Sequence, residues 1–531
     1  MPALTRRETL TALSSLALLG LLPPWMSKAF AADPTATPEN ALLEMSAPEP
    51  FSFDLVKKQA ADLATKPWVD PRSPYSAILE QIDYDAFQKI IWKRDHSLFI
   101  NDGEADPVQL FHLGRYFQEP CTISLVEGDQ SRRIVYRKDY FDMPDDHVAR
   151  QLPDNIGYSG FRVMSQDQTT DWLAFLGAAY FRASGALDQY GLSARAIAID
   201  TAMPTPEEFP RFTAFWLEAS PDEKERVIIN ALVDGPSISG ALRMDCTKSD
   251  RVVMDIECAL YPRKPIARLG VAPLTSMFWF DELNHRQSLD WRPEIHDSDG
   301  LALWTGTGER LWRPLNNPPR VMTNSYIDEN PKGFGLLQRD RDFDHYQDDG
   351  VWYDKRPTVW VEPLGDWGKG SVQLVEIPTD DEIHDNIVLY WVPEGNVAPG
   401  RELNYKYRLH WVKDEPYPSP LGRVAESFFG VGGNPGQPRP ANTTKFVVDF
   451  TGDKLDGLTR KDLDAVVTVS RGTVANTAAY PIVGRKNAIR ATFDVVAEGS
   501  DPLDIRMYVR RGADAMTETW TSQFFPPAPP L

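Results

Sequence analysis

From Thr122 onward the chain is a succession of short alternating or β-branched runs, among them TISLVEG, RVIINALVDG, ISGALRMDCT and RVVMDIECALYP, stopped by Asp-Gly, Gly or Ser-Pro turns. A period of two sends successive side chains to opposite faces, the requirement of a half-buried strand rather than a helix. The 44 prolines and 34 glycines are spread throughout, which makes turns frequent and long helices few. No strand–helix–strand alternation is visible, and a sheet this extensive must bury one face against another. The expected fold class is therefore all-β, with a large, mostly antiparallel β-sandwich over 49–412. At 531 residues the chain exceeds one ordinary core. A second, immunoglobulin-like β-sandwich is expected over 441–531, where KFVVDF, DAVVTVSRG, AIRATFDVVA and LDIRMYVRRG alternate at that spacing. The Pro- and Gly-rich stretch 413–440 reads as a linker. Apolar residues at three and four spacing predict helices over 51–64 and 77–92, separated by Pro67, Pro71 and Pro74.

The first 31 residues combine Arg6-Arg7, an apolar run from Leu10 to Leu22 and Ala29-Phe30-Ala31. An arginine pair, a short hydrophobic segment and a small-x-small site predict a twin-arginine signal peptide cleaved near Ala31, with export to a bacterial periplasm. The run is too short to span a membrane, and 32–48 reads as a disordered leader. Removing 1–31 takes away three basic residues and one acid, moving the formal charge from −20 to −22. Such an acidic body repels phosphate backbones and anionic lipid, so neither nucleic-acid binding nor stable membrane insertion is expected. Cys121, Cys246 and Cys258 show no metal-ligand spacing; Cys246 and Cys258 are candidates for a bridge, but three buried free thiols are the favoured reading.

Nine of the fifteen tryptophans lie between Trp279 and Trp411, with the acidic clusters Glu294-Ile-His-Asp297-Ser-Asp299 and Asp380-Asp-Glu382-Ile-His384-Asp385. Flat indoles near paired carboxylates are suited to stacking sugar rings and to breaking or remaking the bonds between them. The competing reading fills a β core with the tryptophans and caps turns with the acids. A metal reading of His296, Asp297, Asp299 and His384 lacks the remainder of any known loop, and no Gly-x-Ser-x-Gly elbow is present. No metal or cofactor is expected. The segment 334–360 interleaves aromatics with Arg339, Arg341 and Arg356, the composition of a loop that clamps sugar hydroxyls or of a structural ion network.

The stretches GVAPLTSMFWF (270–280), RPEIHDSDGL (292–301), NPKGFGLLQRDRDFDHYQD (330–348) and RPTVWVEPLGDWGKGSVQLVEIPTDDEIHDNIVLYW (356–391) go further. Through them the chain resembles the periplasmic glucan biosynthesis proteins G and D over nearly its whole length. The resemblance implies a galactose mutarotase-like sandwich followed by an immunoglobulin-like domain, and action on β-1,2-glucan by an inverting hydrolase or transglycosylase. It implies Asp385 as general acid, Asp297 as general base and Tyr353 as a proton relay or positioning group. An inverting pair stands roughly 6.5–9.5 Å apart, leaving room for the nucleophile. The substrate-binding set expected around them is Trp279, Glu294, His296, Asp299, Trp304, Arg339, Tyr346, Arg356, Trp360, Glu382 and His384. A non-catalytic glucan-binding factor is the alternative; a homodimer and a contact with a membrane glucan synthase are left open.

Overall fold

The computed structural model describes residues 42–100, 106–220, 225–285 and 290–526. The predicted signal peptide and the leader as far as residue 41 lie outside the described residues. The end of that leader departs from expectation: Leu43 is buried and Met45 bridges Ile134, so an apolar pair docks this segment on the sandwich.

The helix predicted over 51–64 forms as Phe53–Ala64, with the Ser52 hydroxyl accepting from the Leu55 N–H as N-cap. Val56 and Ala60, one turn apart, face Ala214, Leu232 and Ala241 on the outside of the long sheet. The helix predicted over 77–92 does not form. Two single turns, Ser76–Leu79 and Tyr84–Phe87, are followed by the strand Ile91–Trp92. Asp83 in extended backbone accepts from the Ala86 N–H and starts the second turn afresh, so the apolar spacing never becomes one continuous helix.

Two facing sheets build the large sandwich. One is a sixteen-stranded sheet whose centre is the antiparallel run Arg211–Ala219, Arg226–Asp234, Ile238–Lys248, Val252–Pro262, Leu403–Val412, Thr358–Pro363, Gly333–Leu337, Gly300–Trp304 and Arg310–Pro314. The other has ten strands and includes Lys369–Glu376, Ile387–Pro393, Leu269–Ser276, Tyr180–Ala183 and Asp171–Leu176. Their inner faces meet in one apolar core, with Leu242, Met254 and Leu409 from the first sheet and Phe175, Leu274 and Leu389 from the second. All three cysteines are buried and free. Cys246 is opposite Met254 and Cys258 opposite Leu242, so register keeps the two neighbouring thiols from facing each other.

The linker expected over 413–440 is partly structural. Arg423–Val431 is a strand paired with Thr443–Thr451, the start of a four-stranded sheet in the C-terminal sandwich. That sheet packs through Phe446 and Phe493 onto Trp520 and its neighbours on Leu503–Arg511 and Thr519–Phe524. Thr519–Phe524 in turn pairs in parallel with Arg310–Pro314, so the sixteen-stranded sheet runs from one sandwich into the other. Among the described residues no helix is long and apolar enough to cross a membrane.

Candidate active site

Asp297 follows the two-residue strand Ile295–His296, which pairs with Phe278–Phe280. Its own N–H donates to Met277 C=O at 2.8 Å, extending this antiparallel pairing by one residue. Asp385 lies eighty-eight positions further on, before the strand Ile387–Pro393. The residue between, Asn386, holds the two together. Its Oδ1 accepts from Phe278 N–H and its Nδ2 donates to Phe278 C=O, both at 2.8 Å, while Nδ2 also reaches Ile377 C=O at 2.9 Å.

Adjacent side chains point to opposite faces, so neither His-Asp pair is a dyad by itself. Asp297 turns toward Arg356, whose Nε is 3.3 Å from Oδ1. His296 turns the other way: Nε2 is 3.1 Å from Glu294, Nδ1 is 3.1 Å from Gln338 and 3.5 Å from Asp299, and its ring meets Tyr346 edge-on at 5.2 Å. Burial opposes a charge on His296, but the bond to Glu294 and the fields of Asp299, Glu294 and Asp281 outweigh it and lift its pKa to about 9. Gln338 ties this layer to the next loop, donating to His296 C=O, Tyr346 OH and Tyr353 C=O at 3.1, 3.0 and 3.0 Å.

Asp297 and Asp385 are 5% and 6% exposed, and Asp385 feels the charge of Asp297. Burial, reinforced by the Asp297 carboxylate, pushes Asp385 up to about 7, against the pull of Arg182 and Arg356. Burial also raises Asp297, while Arg356, His296 and Arg182 draw it back toward the ionised form. A carboxyl that keeps its proton near neutrality beside another flanked by cations suits paired acid and base chemistry. Arg182 comes from the strand Tyr180–Ala183, is 5% exposed and lies over the Tyr190 ring at 4.7 Å. Nothing in its run, AAYFRASG, marks it in sequence. It reaches the pair only because the ten-stranded sheet brings the distant strands Tyr180–Ala183 and Ile387–Pro393 to the same side of the sandwich.

Nearer the surface, Glu382 (side chain 31% exposed) accepts from Tyr353 OH at 2.6 Å and from Arg292 at 2.9 and 3.0 Å. Arg292 also binds Asp348 at 2.7 Å and Asp290 at 3.0 Å, and the Arg356 guanidinium lies 5.1 Å from the Tyr353 ring centre. The predicted residues Tyr353, Arg356, Glu382, Glu294, His296, Asp299 and Tyr346 thus gather around the aspartates or directly behind them. Trp279, half-buried with its ring edge-on to Phe280 at 5.2 Å, packs against the same cluster. His384 is half-buried beside Asp385.

Three predicted contacts lie elsewhere. Trp304 is held between Arg310, at 3.7 Å, and Lys332, at 5.2 Å, beside Tyr417, because its strand carries it away from the Asp297 turn. Trp360 is fully buried, with its ring so close to Gly333 that a Cβ there would fall 2.4 Å from it. Arg339 faces the C-terminal sandwich, bidentate to Glu518 at 2.6 and 3.2 Å and stacked 3.6 Å over Trp312. Of the clustered tryptophans, Trp312, Trp360, Trp367, Trp391 and Trp411 are all core. Indole platforms are therefore far fewer than their spacing in sequence implies.

This site sits among the stretches that carry the family resemblance. The chain belongs to the periplasmic glucan biosynthesis protein MdoG family, whose model matches residues 51–524. It is 47% identical to glucans biosynthesis protein D 2 of Ralstonia nicotianae, over 98% of both chains. It is 45% identical to glucans biosynthesis protein D of Xanthomonas axonopodis pv. citri, over 98% of this chain and 97% of that one. A probable glucans biosynthesis protein D of Shewanella oneidensis is 47% identical over 90% of this chain and 89% of its own.

Proposed function

We propose that the chain is a periplasmic enzyme that hydrolyses or transglycosylates β-1,2-glucan by inversion, shaping the glucose backbone of periplasmic glucans. The observation that carries this reading is the buried aspartate pair between Arg182 and Arg356, with Asp385 pushed up to about 7. Asp385 donates its proton to the departing glycosidic oxygen. Asp297 accepts a proton from the incoming water or sugar hydroxyl, on the opposite face of the sugar. Tyr353, hydrogen-bonded to Glu382, orders the approach. With both carboxyls nearly closed to solvent, a glucan reaches them when the Tyr353–Glu382–Arg292 tie opens, and re-forming the tie over the bound chain excludes water from the reacting bond.

The same shielding favours a second reading, a glucan-binding factor without turnover that uses Trp279 and the surface Trp291, which is 74% exposed. Incubating the purified protein with linear β-1,2-glucan and following product length, cyclisation and anomeric configuration separates the two. Shortened or cyclic products of inverted configuration support the enzyme. Binding with unchanged chains rejects it.

A further inference from the structure

Behind the Asp297 hairpin lies a cavity of about 260 Å³, closed on its far side by Val424–Phe428 of the C-terminal sandwich. Neither Asp297 nor Asp385 lines it. Six carboxylates do: Asp281, Glu282, Glu294, Asp299, Asp340 and Glu426. Arg339 also lines it, but its guanidinium is engaged by Glu518 at 2.6 Å. His296, bonded to Glu294 and close to Asp299, offsets part of this negative charge, and the remainder favours a bound cation.

Two observations narrow what that partner is. Glu294 is only 6% exposed; one of its oxygens is 3.1 Å from His296, and the other has no hydrogen-bond partner among the described residues. A carboxylate oxygen on a cavity wall with no protein donor is open to a ligand. Second, donor atoms of Glu294, Asp340 and His345 lie within 4.8 Å of one another, and His345 is a nitrogen donor that also borders the cavity. His345 Nδ1 stands 2.5 Å from Asp340 Oδ2, so those two side chains are already aligned.

We propose that this cavity binds a divalent cation of the zinc type through Glu294, Asp340 and His345, with water filling the remaining coordination positions. An imidazole with two carboxylates suits zinc and its first-row neighbours, whereas calcium and magnesium prefer oxygen alone. The volume accommodates an ion with several waters. The ligands come from the Ile295–His296 hairpin and from the segment around the short helix Phe343–Tyr346, so the ion fastens together two parts of the wall behind the aspartates. This set shares no residue with the His296, Asp297, Asp299 and His384 group that the sequence brings to mind, because alternation along the strand separates Asp297 from His296.

The test uses the full mature chain, stripped with a chelator and titrated calorimetrically with ZnCl₂ and, separately, CaCl₂, alongside His345→Ala and Asp340→Asn. Expected is one saturable Zn²⁺ site per chain, weakened at least about tenfold in each variant, with a Zn²⁺-dependent rise in melting temperature that both variants lose. Circular dichroism checks that the variants fold; His345 has a side chain 44% exposed, so its truncation leaves the core alone. Absence of saturable Zn²⁺ binding overturns the proposal. So does binding that both variants retain unchanged, or a Ca²⁺ affinity that equals that for Zn²⁺ and ignores His345→Ala.

Discussion

Asn386 grips Phe278 by both backbone groups, accepting from its N–H and donating to its C=O at 2.8 Å each. These bonds join the loop that carries Asp385 to the hairpin that carries Asp297, and they substitute a side-chain amide for a missing stretch of β ladder.

Replacing Asn386 with Ala strands three buried backbone groups, those of Phe278 and the Ile377 carbonyl. The expected loss is about 2–4 kcal/mol of folding free energy, with a fall in any glucan-degrading activity as the two aspartates lose alignment. Urea unfolding and a reducing-end assay check both. Stability unchanged within error refutes the clamp.

Asp385→Asn keeps size and packing while removing the proton donor. Turnover of β-1,2-glucan is expected to drop on the order of 10³-fold, with the thermal midpoint and glucan affinity retained. Turnover near that of the unaltered protein removes Asp385 from the role of acid.

The pKa of Asp385 gives the pH dependence a direction. Raised by burial and by the Asp297 charge to about 7, it holds its proton below that pH and loses it above. The acid-requiring rate is therefore present on the acidic side and falls as pH rises through about 7. Arg182 pulls this pKa down, so Arg182→Gln is expected to move the falling limb to higher pH. A pH–rate profile with an unmoved limb contradicts that contribution.

Trp360 and Trp279 are expected to part company. Trp360→Ala empties a fully buried site and costs about 3–5 kcal/mol. Trp279→Ala, at a half-buried ring beside the site, is expected to weaken β-1,2-glucan binding several-fold while costing less stability. Calorimetry of both variants, with and without glucan, separates the two; equal effects on binding discredit the distinction.

Tyr353→Phe removes only the hydroxyl that reaches Glu382 at 2.6 Å. Stability is expected to change by about 1 kcal/mol, while the reaction rate falls about tenfold as Glu382 and its partner Arg292 loosen. Denaturation and steady-state kinetics on the same preparation test this; an unaltered rate excludes Tyr353 from ordering the site.

Period-two alternation, frequent turns and the helix starting at Ser52 are local properties, and they made the all-β architecture and the Phe53–Ala64 helix legible in the amino-acid order. The long stretches around Asp297 and Asp385 likewise marked the family and drew attention to those two residues. Tertiary structure alone decided which aromatic residues are core. Burial of Trp360 depends on Gly333, and that of Trp312 on Arg339 and the C-terminal sandwich, partners no local pattern reveals. It also decided that Arg182 faces the aspartates, that Arg423–Val431 is a strand rather than linker, and that Thr519–Phe524 extends the sheet of the first sandwich. A strand's periodicity specifies that one side is buried, but what covers that side comes from segments a hundred or more positions away, and charge, burial and proton affinity follow from the cover.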